Sequence, residues 1–505
     1  MAVQSGSADV VVVGGGPSGL AVSSALRVAG IDVRTVDAAL APATTSRALL
    51  LQPRGIEVLD RIGAISNLRE HAVPLSRTIF RINGRQLAEL SWVNRTRQGP
   101  PNPMVISQAD IEASLRDRLA DAGGTVEWGR RVVSVEDTGE NALVRLHDGS
   151  VIRARWVIGA DGAHSVVRKS AGIEFPGVPM VELVFIADAY ADLDSPRDAV
   201  TFWISPMGLM AAFPLAGHNV WRLMAPAAGP DRSDRAPEDI IGELEAGLAQ
   251  HTGRVIRSVE WASSFRIHRR LADSYRRGRL LLVGDAAHIH SPVGGQGLNT
   301  GIGDAENLAW KLTLVVNGRA HEDLLDSYEA ERRPIAAEVL SNTADVTGLL
   351  AGGQARTRLI RDRIVVPTLH QRWVQRHSAD KASQLSVTYR GGPLGVRRRL
   401  RSFAVGVPGL CPGDRMADAE YRCDDGNVVR LYTVLGPAWA FLVPEALGTI
   451  AKARLSQVAM LPANGDGFLV RPDGHLAWRG SDPHLLATWL DTALGRPRAD
   501  AVLAR

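Results

Sequence analysis

A multidomain α/β fold follows from three observations. A short run that is apolar throughout, Asp9 to Val13, passes through a glycine-rich turn into a helical stretch ending at Gly30. A strand of that kind belongs to a parallel sheet, where both faces are covered. Beyond about residue 176 the pattern changes to short runs, VELVFIADAYADL, AVTFWIS, LMAAFPL and VWRLMAP, parted by Pro, Gly and Asn, which marks a mainly antiparallel sheet. Finally, 505 residues exceed one domain at roughly 100–200 residues each.

The elements follow in order. A second strand, IDVRTVD, ends at Asp37 and completes a βαβ unit. Apolar residues at helical spacing predict a helix from about Val105 to Leu119, closed by Gly123. Strand signals recur at TVEW, RVVSVE, ALVRLHDG and IRARWVIGAD, then again at Arg279 to Val283. A long helix is expected from near Asn299, with helical pattern to about Leu350. The arginine-rich stretch 390–401 reads as a boundary before a small α/β domain. The expected division is 1–175, with an excursion near 72–103 into the second domain; 176–272, the inserted antiparallel β domain; 273–392, the return to the first domain with its long helices; and 393–505.

Composition excludes several classes. With 45% apolar and 22% charged residues the chain is neither disordered nor fibrous. Its net charge is +4, and only four of its 58 cationic residues are lysines. That charge is dispersed, so a pI of 9.3 points to anionic ligands and not to a nucleic-acid-binding tail. Two cysteines, Cys411 and Cys423, cannot form a disulfide framework or a four-thiolate metal site. No basic-then-apolar leader and no apolar run of about 18 residues is present. A soluble, cytoplasmic chain without membrane or nucleic-acid partners is expected.

Four motifs carry chemistry. In Gly14-x-Gly16-x-x-Gly19 the first glycine permits a tight turn, the second admits a pyrophosphate to backbone N–H groups, and the third lets helix and strand pack. The helix N-terminus faces the phosphate charge, and Asp37 ends the next strand, where a carboxylate accepts from ribose hydroxyls. A second strand-to-helix turn follows LLLV: Gly284-Asp285, then AAHIHSPVGGQGLN. Asp285 is placed to bind a sugar hydroxyl, and the Leu298 and Asn299 N–H groups to hold a developing anion. Gly294, Gly295 and Gly297 would let a flat ring lie against the backbone. A nicotinamide dehydrogenase has no need of this second loop, whereas a flavin dinucleotide spanning two distant segments does. His288 and His290 lack a carboxylate at ligand spacing, so solvated loop histidines are expected and no metal site. The third motif, Gly159-Ala160-Asp161-Gly162, is by itself turn chemistry, and Gln108 by itself a solvated helix residue.

Together these segments resemble the FAD-dependent aromatic monooxygenases of the para-hydroxybenzoate hydroxylase type, in their polyketide-tailoring and phenol hydroxylase branch. The resemblance rests on VVVGGGPSGL (11–20), SRALLLQPRGIEVLDRIG (46–63), ISQADIEASLRDRL (106–119), VIGADGAHSVVRKSAGI (157–173), RGRLLLVGDAAHIHSPVGGQGLNTGIGDAENLAWKL (277–312) and LLDSYEAERRPIA (324–336). It implies a Rossmann-like FAD-binding domain of the glutathione-reductase type, an inserted β substrate domain, and a C-terminal thioredoxin-like domain suggested by GFLVRPDGHLAWRG (467–480). That tail lacks CxxC, so packing or dimerisation is expected of it, in a monomer or homodimer.

The resemblance also implies roles. Gly14, Gly16, Ser18 and Gly19 would bind the FAD pyrophosphate, and Asp37 the adenosine ribose, where the family usually has glutamate. Arg47 would lie near the pyrophosphate and the nicotinamide cofactor. Gln108 would hold the ribityl chain, Asp161 would serve both FAD and NAD(P)H, and Asp285 would bind a ribityl hydroxyl. Pro292 would flank the flavin, with Gly297, Leu298 and Asn299 at its N1/O2 edge. In such enzymes NADPH or NADH reduces FAD, and O2 then forms a flavin C4a-hydroperoxide that hydroxylates an electron-rich ring. The expected substrate is a phenolic, polycyclic, polyketide-like metabolite. On the substrate side Arg54 and Arg222 could pair with a phenolate or quinone oxygen, Trp203 and Phe213 could line an apolar cavity, and His218 could act as base. Baeyer–Villiger insertion or epoxidation on the same fold, and an FAD-dependent dehydrogenase, are the alternatives.

Overall fold

The computed structural model describes residues 4–44, 49–92, 101–205, 208–227, 235–290, 295–351, 368, 371–395, 409–423, 426–442, 447–455, 457–462 and 465–495. Strand Gln4–Val13 lies between Val33–Val36 and Val151–Gly159, parallel to both. Val126–Glu127 and Leu280–Leu282 extend this parallel sheet on its two sides. Val10, Val11 and Val12 are fully buried, as an unbroken apolar run in a doubly covered strand requires. Helix Pro17–Val28 follows the glycine turn. Helix Gln108–Asp121 starts three residues later than its apolar pattern suggests, because Ser107 caps it by accepting from the Ala109 N–H at 3.1 Å.

Helix Gln296–Val316 is the centre of the molecule, with every residue from Asn299 to Val316 buried. Its polar residues Asp304, Glu306, Asn307 and Lys311 must therefore find partners inside the protein. The second helix of the pair, Asp326–Ala351, supplies several of them.

A second sheet has eight strands. Its order is His288–Ile289, Ile256–Leu271, Gly177–Ala191, Val220–Pro226, Gly208–Pro214, Ala199–Ser205, Arg77–Ile82 and Arg85–Ser91. All neighbours are antiparallel except Ala199–Ser205 with Arg77–Ile82. Side chains alternate across a sheet. One face carries Trp203, Met210, Trp221 and Leu223 against Ile240, Leu244 and Leu248 of helix Pro237–Thr252. The other face is turned to the first domain, where Phe202, Phe213 and Val200 pack with Leu49, Leu75 and Val105.

The C-terminal sheet runs Val458–Leu461, Trp439–Leu442, Gly467–Val470, Leu476–Gly480; its first pair is parallel and the others antiparallel. Trp439 meets Trp310 of the central helix edge-on at 5.2 Å, so this sheet shares the core of the first domain. Cys411 and Cys423 are both free.

Candidate active site

The first glycine turn has the geometry of a phosphate cradle. Gly14 sits at φ +114°, and a Cβ there would lie 2.3 Å from the Ala160 carbonyl oxygen. A Cβ on Gly19 would lie 2.0 Å from the Gly14 carbonyl oxygen, so helix and strand touch through it. Gly16 has open space where a Cβ would stand, the approach a pyrophosphate needs. Asp37 accepts from the Gly15 N–H at 2.6 Å and the Ala39 N–H at 2.7 Å. Ser18 is wedged between glycines: a Cβ on Gly284 or Gly301 would lie 2.3 Å from its Oγ. The two glycine motifs, some 265 residues apart in sequence, thus meet through one side chain.

At the second motif, Asp285 follows the strand as predicted. Its carboxylate is solvent-accessible and has no hydrogen-bond partner among the described residues. An exposed carboxylate without a protein partner is what a sugar hydroxyl would satisfy. Helix Gln296–Val316 begins at Gly295, in the left-handed region at φ +61°, and its first-turn N–H groups have no helical acceptor. The Asn299 side chain is occupied elsewhere: it accepts from the Gln52 N–H at 2.9 Å and donates to the Leu50 carbonyl at 2.9 Å. Only its backbone is left for a cofactor. Arg47, Pro292 and Gly294 lie outside the described residues.

Asp161 caps a helix. Its carboxylate accepts from the Val166 and Val167 N–H groups at 2.6 and 3.2 Å and from the Ser165 hydroxyl at 2.5 Å. Arg168, unweighted in the sequence, binds this turn to the second motif by donating to the Ala163 and Ala286 carbonyls, both at 2.8 Å. Gln108 donates to Glu112 at 2.8 Å.

A cavity of about 500 Å³ lies between the second sheet and the start of helix Gln108–Asp121, a volume within the roughly 300–1,000 Å³ of small-molecule sites. Arg222, Asp188 and Trp261 stand in register on three adjacent strands and line it. Asp188 takes a bidentate pair from Arg222 at 2.6 and 2.7 Å, and the guanidinium lies over the Trp261 ring at 5.5 Å. The third nitrogen, Nη1 of Arg222, is buried with no partner. His218 lines the same cavity from the turn before Val220, as do Tyr190 and Glu260, joined at 2.8 Å. Phe213 shares the cavity-side face but packs against Phe202, 6.3 Å away.

Two substrate-side expectations are corrected. Trp203 is buried on the opposite face against helix Pro237–Thr252, because strand parity places it there. Arg54 lies at the junction with the C-terminal sheet, donating to Glu306 at 3.1 Å, Glu57 at 3.3 Å and the Asp473 carbonyl at 2.8 Å. Its partners are up to 419 residues away, beyond any local signal. Asp188 and Trp261 carry no motif of their own; the alternation of Asp188 with buried Ala187 and Ala189, and of Trp261 with half-buried Ala262, is the available sign.

His288 and His290 are not solvated. His288 Nε2 is 2.6 Å from Asp304 and its Nδ1 is 3.1 Å from His290 Nε2. Among the described residues no group of three or more His, Cys, Asp or Glu could hold a metal ion, and no helix is long and apolar enough to cross a membrane.

Comparison with known proteins agrees with this architecture. Residues 7–343 match the family described as FAD binding domain. The chain is 34% identical over 508 residues to rifampicin monooxygenase of Rhodococcus hoagii, covering 97% of this chain and 99% of that protein. It is 35% identical over 516 residues to 6-methylpretetramide 4-monooxygenase of Streptomyces rimosus, covering 94% and 90%. The solved structure of anhydrotetracycline hydroxylase from Streptomyces rimosus matches with a TM-score of 0.78 at 30% identity, over 97% of this chain and 100% of that one. Glycine cradle, unpartnered Asp285 and these likenesses together place the chain in the FAD-binding-domain family, as a flavin-dependent aromatic monooxygenase.

Proposed function

We propose that this enzyme consumes NAD(P)H and O2 to hydroxylate a phenolic, polycyclic, polyketide-like compound held in the cavity beside Arg222. The observation that carries this reading is the cavity's polar anchor: a buried guanidinium on the cavity wall, fixed by Asp188 and backed by Trp261, whose Nη1 has no protein partner. Such a group recognises a phenolate or quinone oxygen, and its geometry is preset by the bidentate pair. Bound FAD supplies the oxygen-activating chemistry. Gly14, Gly16 and Gly19 would admit its pyrophosphate, Asp37 its ribose, Asp285 and Gln108 its ribityl chain, and the Gly297, Leu298 and Asn299 N–H groups its N1/O2 edge. Ser18 and Asp161 would support the cradle from behind, through the packing and capping contacts described above. His218 would take the phenolic proton at the cavity wall. The small C-terminal sheet, thioredoxin-like without CxxC, would act by packing, in a cytoplasmic monomer or homodimer.

The test is O2 uptake and product mass with purified, FAD-loaded enzyme, NADPH and a panel of phenolic polycycles. Substrate-stimulated O2 uptake with a gain of one oxygen on an aromatic ring is expected. Substrate-stimulated NADPH use without O2 uptake would instead favour a dehydrogenase. Oxygen placed between a carbonyl carbon and its neighbour would favour Baeyer–Villiger insertion.

A further inference from the structure

Behind the cofactor loop lies a hydrogen-bonded series that the hydroxylation reading leaves unused. His288 and Asp304 are fully buried. Asp304 Oδ1 accepts from Arg332 Nε at 2.7 Å, and Oδ2 meets His288 Nε2 at 2.6 Å. His288 Nδ1 faces His290 Nε2 at 3.1 Å, with the two rings stacked at 5.0 Å. Arg332 is held in turn by the Thr300 carbonyl at 3.0 Å and the Tyr389 hydroxyl at 3.2 Å.

With His288 neutral, this geometry sets the tautomers. An ionised carboxylate can only accept, so His288 carries its proton on Nε2. A neutral His288 then has a bare Nδ1, which accepts from Nε2–H of His290. That leaves Nδ1 of His290 bare, and it has no partner among the described residues. This atom lies 3.6 Å from where a Cβ on Gly297 would stand. It is therefore beside the first turn of helix Gln296–Val316, where the N–H groups lack acceptors.

We propose that His290 is a proton-accepting group for the flavin edge held at that turn, and that His288 and Asp304 are positioning residues that set its tautomer and basicity. The proposal rests on the flavin reading of the loop. With oxidised cofactor His290 is neutral, since burial pushes its imidazole well down from the ordinary range. A two-electron reductant adds negative charge to the cofactor edge, and one proton from the cleft then binds Nδ1 of His290 to balance it. The flavin itself would take up one proton with the electron pair, and no other bond forms or breaks. Asp304 supports the new charge through His288. The other charged or titratable groups around the series are Asp285 on the loop, Arg332 and Tyr328 on helix Asp326–Ala351, Tyr275, whose ring is 6.1 Å from that of His288, and Tyr389.

The experiment is a redox titration of the FAD-loaded full chain, read by visible absorbance from pH 6 to 9, with wild type, His290→Gln and His288→Gln. Wild type is expected to take up two protons per electron pair in the lower part of the range, one on the flavin and one on His290. His290→Gln is expected to take up one throughout. His288→Gln is expected to lose the second proton at a lower pH than wild type. An unchanged proton count in flavin-loaded His290→Gln overturns the proposal. A role limited to packing would weaken oxidised-FAD binding and leave that count alone. Should His290→Gln bind no FAD, wild type decides the matter, because a single proton across the whole range overturns the proposal too. A wild-type chain that takes up no FAD overturns the cofactor reading itself.

Discussion

Replacing Glu306 by glutamine should loosen the junction between the central helix and the C-terminal sheet. Glu306 is 7% exposed and accepts from Arg61 Nε at 2.6 Å and Arg54 Nη2 at 3.1 Å. Both arginines are buried, and Arg415 joins Arg54 on Glu57. Three guanidiniums thus face two carboxylates, and Glu306→Gln leaves three facing one. Arg61 has no spare acceptor, because both its Nη atoms already lack protein partners. Removing one member of a buried pair costs about 3–5 kcal/mol. The glutamine oxygen still accepts one of the two bonds, which puts the expected loss near the lower end, about 3 kcal/mol. Urea unfolding followed by tryptophan fluorescence would measure it, since Trp310 and Trp439 meet across this junction. A loss below about 1 kcal/mol, the scale of an exposed pair, would refute the reasoning and show that the junction is held by apolar packing alone.

Four further outcomes are expected. Gly16→Val should fill the open space at the cradle and yield a folded, colourless protein by circular dichroism and visible absorbance, whereas Gly19→Ala should lower the melting temperature, its Cβ lying 2.0 Å from a carbonyl oxygen. Arg222→Met should raise KM for a phenolic substrate by about 10-fold or more, the worth of a hydrogen bond to a charged group, measured by initial rates of NADPH oxidation. The buried His475 imidazole is lowered to about 4, first by burial, with Asp473 opposing. The unfolded chain, titrating near 6.5, binds this proton first. His475 therefore leaves stability unaffected above about pH 6.5 and lowers it as pH falls toward 4, by up to about 3 kcal/mol. His475→Gln should flatten that part of a melting-temperature profile, and parallel profiles would count against this assignment.

Local chemistry was legible in the chain itself. A strand, a glycine turn and a helix are adjacent in sequence, so the conformational demands on Gly14 and the packing demand on Gly19 are written where they act. The family follows from several such turns in order. The charged residues of the central helix were visible too, but not their partners. Asp304 meets His288 because the helix returns past its own starting loop, and Arg54 meets Asp473 because a distant sheet docks there. Strand alternation separated the sheet residues into two faces. Only packing decided which face helix Pro237–Thr252 would cover, burying Trp203 and leaving Arg222 at the cavity. Conformation within a turn depends on its own residues, whereas burial and pairing depend on whatever the rest of the chain brings alongside.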